Sequence, residues 1–250
     1  MNKWRMNKWR LIPLMEASGS LNMAIDEWLL DQHRLAHMPS VLRFYTWRPS
    51  AISLGYHQSR WPDHWNHLTW NGQPIDLVRR PSGGRAVLHD GDLTYAVITS
   101  GLNGRRMEVY RTLCQFLIEG WRSLGTALHY GTKERDYHRN PNCFATPTVA
   151  DLITESGIKL IGSAQLRRQH AILQHGSMQL QPNLDLYHHV FGLPSSPGIS
   201  HELTEPPICR DIPKIIDALI EAGRSCFSAE FCVEPLDSDE WDAISLYRNR

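Results

Sequence analysis

The 250-residue chain contains no apolar run near the roughly 18 residues that a membrane-crossing helix requires. It carries no excess of charge, 26 Lys+Arg standing against 26 Asp+Glu. That balance argues against a broad electrostatic footprint for nucleic acid and leaves only a local basic cleft open. There is no C-x-x-C pair. The five cysteines, Cys114, Cys143, Cys209, Cys226 and Cys232, are odd in number and widely spaced, which argues against a zinc ribbon or a disulfide framework. A reducing, cytoplasmic setting with free thiols is expected. The N-terminus lacks the apolar core of a secretion signal. It reads MNKWRMNKWR, a perfect five-residue duplication, and residues 1–10 are expected to be irrelevant to the fold, leaving 11–250 as one domain. No repeat of roughly 20–50 residues is visible.

What the chain does have is 42% apolar residues, enough for one well-buried core. Residues 20–37 read as a helix with Ser20 as N-cap and Met23, Ile25, Trp28, Leu29 and Leu30 on its apolar face. Residues 41–47 and 51–56 read as strands joined by Arg48-Pro49-Ser50. Two further strands are expected at 75–80 and 93–100, and a strongly periodic helix at 107–124 carries Cys114 on its apolar face. Residues 157–168 and 170–180 read as two strands joined by a tight turn near Arg168-Gln169. Helices at 211–226 and 237–247 follow a Pro- and Ser-rich surface loop at 192–210. Strands and helices mix without strict βαβ alternation, which points to α+β built on a mixed, largely antiparallel sheet flanked by helices.

Three stretches carry possible chemistry. The first is RRPSGGRAVLHD (79–90). Gly83 and Gly84 free the backbone to approach a ligand; Arg79, Arg80 and Arg85 surround them, and Asp90 stands beside His89 as a candidate orienting group. Taken alone, this loop serves equally as a ligand cradle, a histidine mount or a plain turn between strands. The second is NPNCFATPTVADLITESGIKLIGSAQ (140–165). Here Cys143 sits in a polar, proline-flanked loop, and Lys159 precedes the small residues Gly162, Ser163 and Ala164. A neighbouring lysine favours the thiolate of a cysteine, so Cys143 is a candidate nucleophile or a bystander. Lys159, beside small residues, is expected to contribute little to packing, so that removing it leaves the melting curve normal. The third is QHGSMQL (174–180), where His175-Gly176 within a strand suggests a backbone brought close to something. His170, His175, His188 and His189 have no carboxylate or cysteine at standard zinc spacing, and no metal site is expected.

Together the blocks NMAIDEWLL (22–30), LRFYTWRPSAISLGYHQ (42–58), RRPSGGRAVLHDGDLTYAVI (79–98), NCFATP (142–147), KLIGSAQLRR (159–168) and ILQHGSMQL (172–180) resemble the lipoate/biotin protein ligase superfamily. Within it, the chain is most similar to the cysteine-dependent octanoyl-[acyl-carrier-protein]:protein N-octanoyltransferases. ATP-using ligases typically carry a third glycine where Arg85 stands and an Asn-Asp pair in the region of Asn142-Cys143. The resemblance implies a lipoate/biotin protein ligase-like catalytic domain over residues 11–250, with Cys143 and Lys159 as catalytic residues. It implies an acyl pocket formed by Arg79, Ser82, Gly83, Gly84, Gly162, Ser163, Ala164 and His175, with His89 at its edge. It implies no cofactor or metal of the protein's own, the acyl donor being carried on the phosphopantetheine of acyl carrier protein. The implied acceptors are lipoyl domains or the glycine cleavage H protein, with neither nucleic acid nor membrane as partner. An ATP-dependent ligase, a lipoyl amidotransferase and a non-catalytic binding protein stay open beside this reading. Asp92 replaces an expected glutamate and reads as a neutral loop change.

Overall fold

The computed structural model describes residues 7–131, 150–192 and 208–248. Its frame is an eight-stranded sheet. The five long strands are β1 (Asn7–Ala17), β2 (Ser40–Trp47), β8 (Asp92–Ser100), β12 (Ala171–Gln179) and β11 (Lys159–Arg168), adjacent in that order. β13 (Ala229–Val233) adds to the β1 edge, and the short β10 (Leu152–Ile153) and β9 (His129–Tyr130) add to the β11 edge. β1 runs parallel to both neighbours and the remaining pairs are antiparallel, so the sheet is mixed and largely antiparallel. The fold is α+β.

Strand side chains alternate between faces, and here each face meets different helices. Leu42 and Phe44 of β2 and Tyr95 and Val97 of β8 pack with Val109, Leu113 and Phe116 of α2 (Arg106–Ser123) and with Ile215 and Leu219 of α4 (Ile212–Phe227). On the opposite face Val41, Tyr45, Ala96, Ile98 and Leu173 meet Met23, Ile25 and Leu29 of α1 (Gly19–Arg34). The α1 cap is Ser18, not Ser20: its hydroxyl accepts from the Leu21 N–H at 3.4 Å. α5 (Ser238–Tyr247) packs against α1.

A second sheet, ordered β6-β3-β7, is made of β3 (Ala51–Leu54), β6 (Asp76–Arg79) and β7 (Val87–His89). Its own core of Ile52, Leu54, Trp65 and Leu88 is closed by Leu186, Tyr187 and Val190 of α3 (Leu184–Phe191). A two-stranded ribbon, β4 (Thr69–Trp70) with β5 (Gln73–Pro74), completes the region. The proline linker at 48–50 therefore does not form a hairpin: β2 and β3 enter different sheets.

The duplicated N-terminus requires a correction. Its second copy, Asn7–Arg10, opens β1 and pairs with β13. Trp9 is buried and stacked on Phe227, with centroids 4.8 Å apart and planes 3° apart. Arg10 makes a forked ion pair with Glu240 (2.6 and 2.7 Å). A large aromatic and a bidentate guanidinium at the sheet's parallel edge are structural parts, whatever their origin as a repeat.

Candidate active site

A cavity of about 130 Å³ lies between the two sheets. The large sheet supplies Tyr45, Trp47, Thr94, His175 and Gly162-Ser163-Ala164; the small sheet and its loop supply Ser53, Arg80, Gly83, Gly84 and His89. Gly84, at φ 102°, holds a backbone conformation that L side chains rarely adopt, which is why the loop needs glycine there. Gly176 answers the close approach expected in its strand: a β-carbon would collide with Ser163 of the neighbouring strand and with the Tyr95 ring.

The two histidines in the wall are built alike. His175 Nδ1 meets Asp26 Oδ2 at 2.8 Å and its Nε2 meets Ser82 Oγ at 2.5 Å. A carboxylate only accepts, so Nδ1 donates to Asp26, and Nε2 shares a hydrogen bond with the Ser82 hydroxyl. Asp26 is fully buried and also accepts from Arg43 (2.9 Å) and the Tyr45 hydroxyl (2.9 Å). Buried charge demands this degree of pairing. The Ser-Gly-Gly loop is thereby fastened to α1 through one imidazole.

His89 Nδ1 meets Asp92 Oδ2 at 2.8 Å, and its Nε2 meets Ser53 Oγ at 2.8 Å. The ring lies flat on Trp47, centroids 3.8 Å apart and planes 14° apart. Burial pushes the His89 pKa below its ordinary 6.5, against the opposing pull of Asp92, so this imidazole is neutral. The orienting group is Asp92 and not Asp90, whose carboxylate accepts from Ser50 instead. Nor is Asp92 a neutral loop change: it is buried and accepts from His89, Thr94 (3.2 Å) and Ser177 (2.6 Å).

The arginine pair divides. Arg79 does not line the cavity; its guanidinium donates to the carbonyls of Gly55, Tyr56 and Gln58. Arg80 is the one at the cavity, donating to the carbonyls of Ser53 (2.7 Å), Gly83 (2.9 Å) and Arg85 (2.6 Å) and so fixing the loop's path. Lys159 is buried and pairs with Asp151 at 3.0 Å, and it is Asp151 that reaches the cavity wall. The expectation of a lysine with little packing role fails here. Cys143 lies outside the described residues. Among those described, Cys114 is on the buried face of α2 and burial pushes its thiol up to about 12, while Cys209, Cys226 and Cys232 are half-buried.

The structure thus brings together Ser82, Gly83, Gly84, His89, Gly162, Ser163, Ala164 and His175, places Lys159 one residue behind the wall, and leaves Arg79 out. Sequence reasoning missed Asp26 and Asp151, named Arg80 only as one of three arginines around the glycines, and read Asp92 as a neutral change. Asp26 had a signal: it interrupts the apolar face of a helix, where an acid is buried only if something pairs it. Among the described residues, no helix is long and apolar enough to cross a membrane, and no group of three or more His, Cys, Asp or Glu is arranged to hold a metal ion.

The fold is shared with lipoate-protein ligases of known structure. A lipoate-protein ligase A bound with ATP superposes with TM-score 0.74 at 23% identity, covering 97% of this chain and 95% of that one. A bipartite lipoate protein ligase from Thermoplasma acidophilum, studied with its E2 lipoyl domain, gives TM-score 0.74 at 22% identity over 98% and 93%. The model of the lipoyl protein ligase A/B catalytic domain matches residues 18–203, and the chain belongs to that family. Its relatives include octanoyltransferase LipM of Bacillus subtilis, 38% identical over 75% of this chain and 70% of that protein. The LipM of Lysinibacillus sphaericus is 33% identical over 92% and 89%.

Proposed function

We propose that the protein transfers an octanoyl group from octanoyl-acyl carrier protein, through a thioester on Cys143, to a specific lysine of a lipoyl domain or the glycine cleavage H protein. The observation that carries this reading is the small cavity between the sheets in a chain 33–38% identical to octanoyltransferases. Attack of the Cys143 thiolate on the donor thioester forms one thioester and releases the carrier thiol, so the exchange is close to balanced and needs no ATP. The acceptor amine then attacks the enzyme thioester, an amide forms, and the cysteine is regenerated. That amine must lose a proton: with a lysine pKa near 10.4, deprotonation at pH 7 costs about 4–5 kcal/mol. Lys159, held by Asp151, acts beside the thiolate and the incoming amine. Asp151 connects the pair to the cavity and stands two residues beyond the segment that includes Cys143. Backbone N–H groups of the Gly83-Gly84 loop stabilise the tetrahedral oxyanion, a contribution of about 3–4 kcal/mol per donor in other acyl transfers. The protein brings no cofactor of its own and works in the cytoplasm.

The test is incubation with octanoyl-acyl carrier protein and a lipoyl domain with no nucleotide present. Octanoylation of the domain lysine is expected, along with a hydroxylamine-labile adduct on the peptide containing Cys143 that is lost in Cys143→Ala. Modification from free octanoate plus ATP, with none from the thioester, would establish an ATP-dependent ligase instead. Transfer from an already octanoylated H protein would establish an amidotransferase.

A further inference from the structure

The cavity opens into a larger groove of about 540 Å³, and the two share Gly83, Gly84, Ser163 and Ala164. From that junction the groove follows β11 outward to Arg168 and is flanked by His57, Arg106 and Met107. β10 pairs with β11 only at Lys159 and Ile161, so from Gly162 to Arg168 the outer edge of β11 has no strand partner among the described residues. The Ser163 carbonyl accepts from the Tyr110 hydroxyl at 3.1 Å, and the Gln165 carbonyl accepts from Arg106 at 3.4 Å.

Resting on the transferase reading above, we infer that this groove is the binding site for the phosphopantetheine arm of the acyl donor, with the thioester at the Gly83-Gly84 junction and the phosphate at Arg106. Three features support the assignment. The chemistry fits: the arm carries two amides, and a strand edge without a strand partner among the described residues is a surface for an extended amide-bearing ligand, next to the Tyr110 and Arg106 donors. The rim fits: Met107 and Tyr56 are exposed apolar groups for the arm's branched methyls. The charge fits: Arg106 is exposed and donates to the Gln165 carbonyl, not to a carboxylate, whereas Arg168 is already paired with Glu27 and Asp31. A lysine side chain entering as acceptor would leave most of such a groove unfilled.

The same arm occurs on acyl carrier protein and on coenzyme A, and the test separates them. Transfer is measured with octanoyl-acyl carrier protein, octanoyl-coenzyme A, S-octanoyl-phosphopantetheine and S-octanoyl-pantetheine, using wild type, Arg106→Glu and Arg106→Lys. Arg106→Glu is expected to raise KM for the phosphate-bearing donors at least about tenfold, the scale of one charge-assisted contact, with kcat little changed. It should leave S-octanoyl-pantetheine unaffected, and Arg106→Lys should recover most of the loss. Comparable KM effects with the carrier protein and coenzyme A place the recognition in the arm; an effect confined to the carrier protein makes Arg106 a protein-surface contact and overturns the assignment. An equal shift with S-octanoyl-pantetheine, no shift with any donor, or a shift only in KM for the lipoyl domain also overturns it. If wild type transfers from no donor, the transferase reading fails. Calorimetric Kd values for S-octanoyl-phosphopantetheine against S-octanoyl-pantetheine, with and without Arg106→Glu, then decide the groove by the same criterion.

Discussion

At the level of single residues, the site is a set of buried polar groups that hold one another in place. Asp26, Asp92 and Asp151 each lie within the protein and each meets a cation or an imidazole donor. Lys159 is the most informative of these. Removing one partner of a buried pair typically costs about 3–5 kcal/mol because the other charge is stranded, while replacing both by apolar groups is often close to neutral. Lys159→Ala is therefore expected to lower Tm clearly, and Lys159→Met combined with Asp151→Leu to recover most of that loss. Octanoyl transfer should be absent from both. Activity returning in the stable double variant would reduce Lys159 to a structural role. What the sequence made legible at this scale was the residue types that need no partner to be recognised, Gly83, Gly84 and the small run at 162–164. Which acid faces which histidine was not legible: Asp90 adjoins His89 in sequence, yet β7 turns it towards Ser50, and Asp92 arrives through the first residue of the next strand.

At the level of elements, helices with long apolar stripes were found to within a few residues, because a 3.6-residue period over four turns is a redundant signal. β1 and β13 were not anticipated as strands. β1 opens with two exposed residues, buries Trp9 to Ile12 in a row and then varies, with a register shift between Ile12 and Met15, so no alternation marks it. β13 has five residues and lies at the edge. Their pairing nevertheless anchors α4 and α5 to the sheet through Trp9 and Arg10. Trp9→Ala should cost about 3–5 kcal/mol, the usual penalty for emptying a large aromatic site, seen as a drop in the urea midpoint with little change in slope. A variant with an unchanged midpoint would show that β1 begins, energetically, after the repeat.

At the level of the whole molecule, the protein is two sheets with separate cores meeting across a cavity. The small sheet is joined to the rest by Ala51 and Val78, which pack in the α1-side core, and by polar links, among them the Gly19 N–H donating to Asp76 at 2.9 Å, the His89–Asp92 pair and the Ser82–His175 bond. An acyl chain seated between the sheets adds apolar contact across that junction. A ligand that binds only the closed form stabilises it by RT ln(1 + [L]/Kd), about 2.7 kcal/mol at a hundredfold excess over Kd. That stabilisation should be felt by the elements whose separation would release the ligand, and not by those on the far face. Saturating octanoate, used as a probe that the proposed enzyme cannot activate, is therefore expected to slow amide hydrogen exchange in the loop at 82–89 and in β11 and β12. Exchange in α4, which packs on the opposite face of the sheet, and in β13, at its far edge, should hardly change. The local openings of the small sheet are the low-energy ones, so the protection there should exceed any rise in global stability measured by melting. Protection spread evenly over the molecule, or centred on α2 and α4, would place the acyl chain outside the cavity between the sheets and remove the basis for reading the glycine loop as its roof.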